Sequence, residues 1–297
     1  MEARDAIYLI DGTAYIHRAF HAIRGLANSR GLPTNAVFGF TRMLLKLIEE
    51  HRPRQAAVFF DARGPTFRHE LYPAYKANRP PMPEEMAVQI PWIRRIVEAY
   101  RLPVFELPGF EADDLIGTAG RRLAAAGRPV VVVTGDKDFV QLVDERLRLW
   151  DPMKDRETDL AAVRRELGIE PAQVIEVMGL AGDATDNIPG VPGVGPKTAL
   201  ELVRTFGTLE GVYEGLERIA RPKLREVLRA HREQAFLSRA LATIRTDAPF
   251  EPPPEALALP EPDVAALAAL FRELEFRQLQ HSLPAVRARP AKDYRAV

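Results

Sequence analysis

The sequence predicts an α/β fold: a mostly parallel central sheet flanked by helices, followed by a helical C-terminal domain. Three observations carry this expectation. Short apolar runs bounded by Gly, Pro or charge, such as Tyr8-Leu9-Ile10, Ala56–Phe60 and Val130–Val133, read as strands buried on both faces. Segments of helical spacing separate these runs, as parallel strands require. From about residue 160 the strand signal stops and only helical patterns with short turns remain, so an α/β core precedes a helical region.

The elements follow in order. A strand ends at Asp11, and a helix is expected over residues 35–51, where Phe38, Met43, Leu44, Leu47 and Ile48 supply the apolar spacing. A strand follows at 55–61. The stretch from Arg63 to Pro83 is Pro-rich, basic and aromatic, and too long for a plain connection, so it is read as functional. A helix over 84–100 should be ended or kinked in its first part by Pro91. A strand at 104–107 leads to a helix over 111–126 that Gly127 ends. Strands at 129–134 and 147–150 complete the sheet. The run Phe250-Glu251-Pro252-Pro253-Pro254 reads as a stiff spacer, and the tail from Pro284 as a linker. The expected units are a core over 1–175, a helical domain over 176–283 and a linker over 284–297.

The chain of 297 residues has no Cys, which removes disulfides and thiolate metal sites. Its start has no apolar signal region, and no apolar run reaches the ~20 residues that span a bilayer. A cytoplasmic protein with no membrane partner is expected. The 41 basic residues balance the 41 acidic ones, which alone argues against a nucleic-acid binder. The distribution says otherwise. Residues 63–79 hold Arg63, Arg68, Lys76 and Arg79 against Glu70, and residues 218–245 hold eight Lys or Arg against Glu226 and Glu233. Such flanks suit a phosphodiester substrate, although a solvated Arg-rich helix face would look the same.

Acidic residues cluster where the strands end: Asp11, Asp61, the group Glu111, Asp113 and Asp114, the pair Asp136 and Asp138, and farther on Asp183 and Asp186. In an open α/β sheet the carboxyl ends of the strands form the ligand crevice, so these acids can converge. Converging anions need cations, and an all-oxygen set without Cys or His suits Mg²⁺, Mn²⁺ or Ca²⁺ rather than zinc. Each group also has a plainer role. Acids in a first helical turn gain roughly 0.3–1 kcal/mol from the helix dipole, and an Asp pair after a strand can simply form a turn.

Two enzyme classes are excluded. A dehalogenase-type phosphatase needs an Asp nucleophile where Leu9 stands. The stretch Gly190–Thr198 departs from a P-loop because Pro196 separates Gly195 from Lys197 and no buried strand precedes it. Residues 188–199 read better as a helix-hairpin-helix turn. Gly190, Gly193 and Gly195 let the backbone approach a phosphate, while Lys197, with Thr198 beside it, sits at a helix start aimed at that anion. In the Pro-rich excursion, Tyr75 can stack on a base while Lys76 and Arg79 hold phosphates; the alternative is a tyrosine packed on the core with snorkelling cations.

Taken together, these stretches resemble the 5′-nucleases of the flap endonuclease family, in the form found at the N-terminus of bacterial DNA polymerases I. The resemblance rests on Leu9-Ile10-Asp11-Gly12 with Arg18, Phe59-Phe60-Asp61, Tyr75–Pro80, Gly109–Asp114, Thr134–Asp138 and Gly182–Gly190, in family order. Thr185 stands where the family commonly has Ser. The resemblance implies a PIN-like nuclease core, a helical arch near 63–88 and a helix-three-turn-helix domain. It implies cleavage of 5′ flaps, nicked DNA and RNA primers, and 5′→3′ exonuclease action in replication and repair. It implies one divalent ion on Asp11, Asp61, Glu111 and Asp113, with Asp114 a further candidate, and a second on Asp113, Asp136, Asp138 and Asp186, with Asp183 behind. Mg²⁺ is the expected ion, with Mn²⁺ able to substitute and K⁺ at the hairpin. Lys76 and Arg79 would act on the scissile phosphate, with Tyr75 and Arg18 beside them. The chain would be a monomer, or part of a longer chain joined to a polymerase domain. A catalytically silent junction binder and a ribonuclease on a related sheet are the competing readings; the full acid set argues against the first, and the arch and hairpin against the second.

Overall fold

Five apolar strands run parallel in the order β3-β2-β1-β4-β5: β1 (Ile7–Asp11), β2 (Gln55–Phe59), β3 (Val104–Phe105), β4 (Val130–Val133) and β5 (Leu147–Asp151). A sixth, β6 (Arg156–Thr158), closes the edge antiparallel to β5. These come from a computed structural model of the chain, which describes residues 5–283. The expected linker at 284–297 lies outside the described residues. The helices, in chain order, are α1 (Gly12–Ala22), α2 (Asn35–His51), α3 (Phe67–Leu71), α4 (Glu84–Ala87), α5 (Ile90–Ala99), α6 (Ala112–Ala125), α7 (Leu160–Leu167), α8 (Val174–Ala181), α9 (Pro196–Phe206), α10 (Leu209–Glu214), α11 (Pro222–Ala230), α12 (Arg232–Ala242), α13 (Val264–Glu273) and α14 (Arg277–Gln280).

The strands show why continuous apolar runs were needed. Alternate side chains point to opposite faces. Tyr8, Ile10, Val58, Val131 and Val133 enter one core with α1, α2 and α5, while Leu9, Ala57, Phe59, Val130 and Val132 enter another with α6. A third core lies within the helical region, around Leu180, Val203, Leu209 and Leu228. A small fourth cluster of Tyr75, Met178, Ile188, Leu241 and Ala242 joins the Pro-rich excursion to that region. Register places Ile10 beside Val58 and Val133, so β1, β2 and β4 end at one level. The strand order reverses between β1 and β4, and such a reversal opens a crevice at the strand ends.

The structure departs from the expected elements in three places. Helix α1, absent from the expected elements, starts directly at Gly12, capped by Asp11. The helix over 84–100 is ended in its first part, as expected: α4 stops at Ala87, and Pro91 sits in the first turn of α5, where its missing N–H costs nothing. Strand β6 was not foreseen. The largest departure is at the C-terminal end. Helices α13 and α14, expected in the helical domain, bury Leu267, Leu270, Phe271, Leu274 and Leu279 in the first core of the sheet. The Asp263 N–H donates to the Ala99 carbonyl at the end of α5 (2.7 Å), and Phe276 meets Phe38 edge-on at 5.2 Å. The run at 250–254, expected as a stiff spacer, is likewise anchored, since Phe250 packs on Phe59 and Phe105.

Because Phe271 is fully buried in the sheet's own core, Phe271→Ala is expected to cost about 3–5 kcal/mol. Urea unfolding followed by circular dichroism checks this; a loss near zero would place α13 outside the core.

Candidate active site

Asp11 is the last residue of β1. It accepts the Ala14 N–H (3.0 Å), and the Thr134 hydroxyl donates to its second oxygen (2.9 Å). Asp61 lies two residues beyond β2; its N–H donates to Thr13 Oγ1 (2.9 Å), and its carboxylate accepts the Ala112 N–H (2.7 Å) at the start of α6. Glu111 and Asp113 flank that start. Asp136 follows β4 and accepts the Asp138 N–H (2.9 Å) in a 3₁₀ turn, Lys137–Leu142. Asp186 belongs to the turn after α8, whose backbone is closed by paired bonds between Asp183 and Ile188. Asp11, Asp61, Glu111, Asp113, Asp136, Asp138 and Asp186 all face one cavity of about 820 Å³, which the strap 79–83 also lines. Several of these acids therefore serve the plainer capping and turn roles as well as facing the cavity.

Crowding sets the charge state. Burial, with Asp136 and Asp61 nearby, pushes the Asp11 carboxyl up to about 7 despite its two hydrogen bonds. Burial together with Asp11, Asp136, Glu111 and Asp61 holds Asp113 well above the carboxylate range. Burial and Asp136 push Asp138 up to about 7, and one Asp138 oxygen is buried without a hydrogen-bond partner among the described residues. The chain's own cations meet part of this charge. Lys76 Nζ lies 2.8 Å from Glu111 and 3.7 Å from Asp186, and Arg79 pairs with Asp186. Lys137 sits 2.9 Å from Asp183; against the upward push of burial, it and the Thr185 N–H hold that carboxyl below its usual value. Among the described residues no three acids or imidazoles enclose a common point closely enough to hold an ion as they stand. The donor chemistry is nonetheless that of a hard-cation site: oxygen throughout, with one buried oxygen unengaged.

Three residues have roles other than those expected, and a fourth has one besides. Asp114 does not face the cavity. It is fully buried, grips Arg68 through two 2.8 Å bonds, and accepts the Glu111 and Arg245 N–H groups. With both oxygens engaged it has none to offer an ion. Tyr75 is not a free stacking platform. Its ring is buried, and its hydroxyl lies 3.1 Å from Glu111 and 3.3 Å from Asp186, so the core-packing alternative is the one seen. Gly190 does not meet solvent; a Cβ there would lie 2.3 Å from the Gly182 nitrogen, so glycine permits the hairpin to close on α8. Arg18 lines the cavity as expected, but it also pairs with Asp151 (3.1 Å) and covers Gly135, where any Cβ would strike its guanidinium.

Gly193, Gly195 and Lys197 are exposed, with Thr198 half-buried, at the uncapped start of α9, where the first N–H groups have no intrahelical partner. The basic run after 218 is partly spent inside the fold: Arg239 pairs with Glu176 and Glu210, Arg229 with Glu217, and Arg245 with Asp247. Sequence reasoning did not single out Thr13, Thr134 or His17. The two threonines orient Asp61 and Asp11, and their only signal is adjacency to the acids. His17 lines the cavity; burial, then Arg79, lowers its pKa.

Residues 6–176 match the family model described as 5′-3′ exonuclease, N-terminal resolvase-like domain, and residues 169–265 match the model described as 5′-3′ exonuclease, C-terminal SAM fold. The chain belongs to the 5′-3′ exonuclease family. It is a nuclease. A protein named 5′-3′ exonuclease from Aquifex aeolicus is 38% identical over 273 residues, 92% of this chain and 93% of that one. DNA polymerase I of Bacillus caldotenax is 45% identical over 276 residues, covering 91% of this chain and 31% of the relative. DNA polymerase I of Pseudomonas aeruginosa is 46% identical over 278 residues, covering 91% and 30%. The chain thus spans about a third of the length of these polymerases. Among solved structures, the T5 5′-exonuclease with bound divalent zinc superposes with TM-score 0.66 at 22% identity, over 94% of this chain and 99% of that one. The T5 flap endonuclease with DNA and metal ions superposes with TM-score 0.67 at 21% identity, over 93% and 98%. These likenesses establish that the exonuclease shares their fold: a parallel sheet flanked by helices with a helical C-terminal region.

The raised Asp113 pKa gives the exonuclease a pH signature. An unfolded Asp ionises near 3.9, while the folded one keeps its proton well above that. Between the two values the folded chain binds more protons than the unfolded one, so this group's contribution to stability falls as pH rises. In EDTA at pH 8, Asp113→Asn should therefore be more stable than the parent by about 1–3 kcal/mol. The gain should shrink as pH falls and vanish only near pH 3 and below, under the unfolded value, where the carboxyl is neutral in both states. Urea titrations at the two pH values test this; an equal effect at both would remove the charge explanation.

Proposed function

We propose that the chain is a structure-specific 5′-nuclease. It hydrolyses phosphodiester bonds at 5′ flaps, nicks and 5′ ends of DNA, RNA primers included, using two divalent cations, with Mg²⁺ the natural pair and Mn²⁺ able to replace it. The observation that carries this is the single cavity with carboxylates from β1, β2, α6, the Lys137–Leu142 turn and the α8–α9 connection on its floor, and Lys76 and Arg79 at its rim. Asp11, Asp61, Glu111 and Asp113 would hold one cation. Asp113, Asp136, Asp138 and Asp186 would hold the other, with Asp183 orienting the turn through its bond to the Thr185 N–H. Such a pair, when bound, offsets charge on the attacking and leaving oxygens of phosphoryl transfer.

The remaining parts follow from the chain's own groups. Glu111 and Asp186 cannot serve a cation and Lys76 fully at once. Once they turn inward, Lys76 and Arg79 are left at the rim, where a phosphate arrives. The strap 79–83 roofs that entry, as an arch would. The open helix start at Lys197 and Thr198, with Gly193 and Gly195 exposed beside it, grips a duplex phosphate without reading sequence, and the hairpin carbonyls offer a K⁺ site. By analogy with the polymerases it matches, the chain acts joined to a polymerase region. It would work as a monomer at the bacterial nucleoid.

A 5′-labelled flap substrate tests this reading. Cleavage is expected with Mg²⁺ or Mn²⁺ and none in EDTA, while Ca²⁺ supports binding without cutting. Cutting in EDTA would sink the two-cation reading, and an uncut flap under every condition would sink the function. A second expectation concerns Lys76. Without its ammonium, Glu111 and Asp186 face a cation with less competition, so Lys76→Met should bind Mg²⁺ about three- to tenfold more tightly without DNA by calorimetry. Single-turnover cleavage should nonetheless fall about 10²–10³-fold. Weaker Mg²⁺ binding in this variant would mean that the lysine supports the acids rather than competing for them.

A further inference from the structure

The chain leaving α12 at residues 241–245 passes between the two groups of acids, and its backbone is held from both sides in strict alternation. On the α6 side, Arg68 donates to the carbonyls of Leu241 (2.9 Å) and Thr243 (2.9 Å), and the Arg245 N–H donates to Asp114 (2.9 Å). On the side of Asp136 and Asp138, the Gln141 amide donates to the Ala242 carbonyl (3.0 Å) and accepts the Ile244 N–H (2.9 Å). Odd residues bond one way and even residues the other: Leu241 and Ala242 do so through the free carbonyls of the last turn of α12, and residues 243–245 continue the pattern past its C-cap. Gln141 also donates to the Asp138 carbonyl (2.8 Å) and is buried. Its amide orientation follows from these partners: the oxygen must face the one N–H, and the nitrogen the two carbonyls.

We propose that Gln141 is a positioning residue for the nuclease reaction. It touches neither substrate nor a cation. It fixes the Asp136–Asp138 turn against the 241–245 segment, and Arg68 with Asp114 fixes Glu111 and Asp113 against the same segment. The segment thereby sets the spacing between the two acid groups, and with it the separation of the two cations they would hold. This rests on the two-cation reading above. No other side chain type of that size replaces the amide. A carboxylate would set a negative oxygen against two carbonyls, and an apolar chain would leave three backbone groups unpaired.

The test compares the full chain with Gln141→Met and Gln141→Glu, reading free Mn²⁺ by electron paramagnetic resonance during titration without DNA. The parent should bind two ions. In both variants one ion should bind about 10–100-fold more weakly, the usual effect of losing a partner that orients a ligand. For a flap substrate kcat should fall by a similar factor while KM stays within about twofold. Leu270→Ala separates positioning from general loosening. It removes a buried side chain of α13 from the core on the opposite face of the sheet from α6, so it should lower the unfolding midpoint yet leave Mn²⁺ binding unchanged. If Gln141→Met does not fold, Gln141→Glu carries the test, because it keeps the shape and the acceptor for Ile244. Parent-like Mn²⁺ affinity in the folded Gln141 variants overturns the inference, and so does an equal loss in Leu270→Ala. A parent that binds no Mn²⁺ overturns the two-cation reading and this inference with it.

Discussion

Like charge gathered in a small volume is the constraint on which the rest of this structure depends. A parallel sheet brings the ends of β1, β2 and β4 to one level, and each end delivers a carboxylate. The fold cannot relax by separating them, because the strands behind them are locked in register within two apolar cores. What relaxes instead is protonation and pairing. Burial and mutual repulsion raise Asp11, Asp113 and Asp138, and Lys76, Arg79 and Lys137 bend onto Glu111, Asp186 and Asp183. On the two-cation proposal, the arrival of cations would be coupled to the release of these basic side chains.

The same constraint explains why some acids had to be removed from the cluster. Asp114 is one residue from Asp113 yet points the other way, into a buried bidentate pair with Arg68. Such a pair is costly to bury and more costly to break. Its place here is architectural: it ties α3, α6 and the chain leaving α12 into one unit behind the site. Tyr75 contributes from the same side, its hydroxyl toward Glu111 and Asp186 and its ring against Leu241.

The sheet and the acid set were legible in the sequence because both are local signals. An apolar run followed within two or three residues by Asp marks a strand end and its chemistry together, and this held at Asp11, Asp61 and Asp136. What escaped was decided by partners distant in sequence. Nothing local distinguishes Asp113 from Asp114; the difference is Arg68, 46 residues away from Asp114. Tyr75 next to Lys76 fits a stacking platform and a buried plug equally well until Ile188 and Leu241 are placed against it. The helical pattern read from residue 160 onward covered α13 but not which of several cores would receive it. Helix α1 was hidden because its cap is Asp11 itself, a residue already read for its chemistry.

The return of α13 and α14 to the sheet changes what kind of object the helical region is. It leaves the core after β6 and re-enters it through residues 241–258 and then α13, so it is an insertion anchored at both ends rather than a domain hung on a single tether. A region pinned at two points cannot swing far, and the hairpin at its tip stays within a narrow range of the carboxylates. If the open start of α9 grips a phosphate as proposed, this double anchorage would also set how far that phosphate lies from the acidic floor, and so the length of nucleic acid between duplex and site.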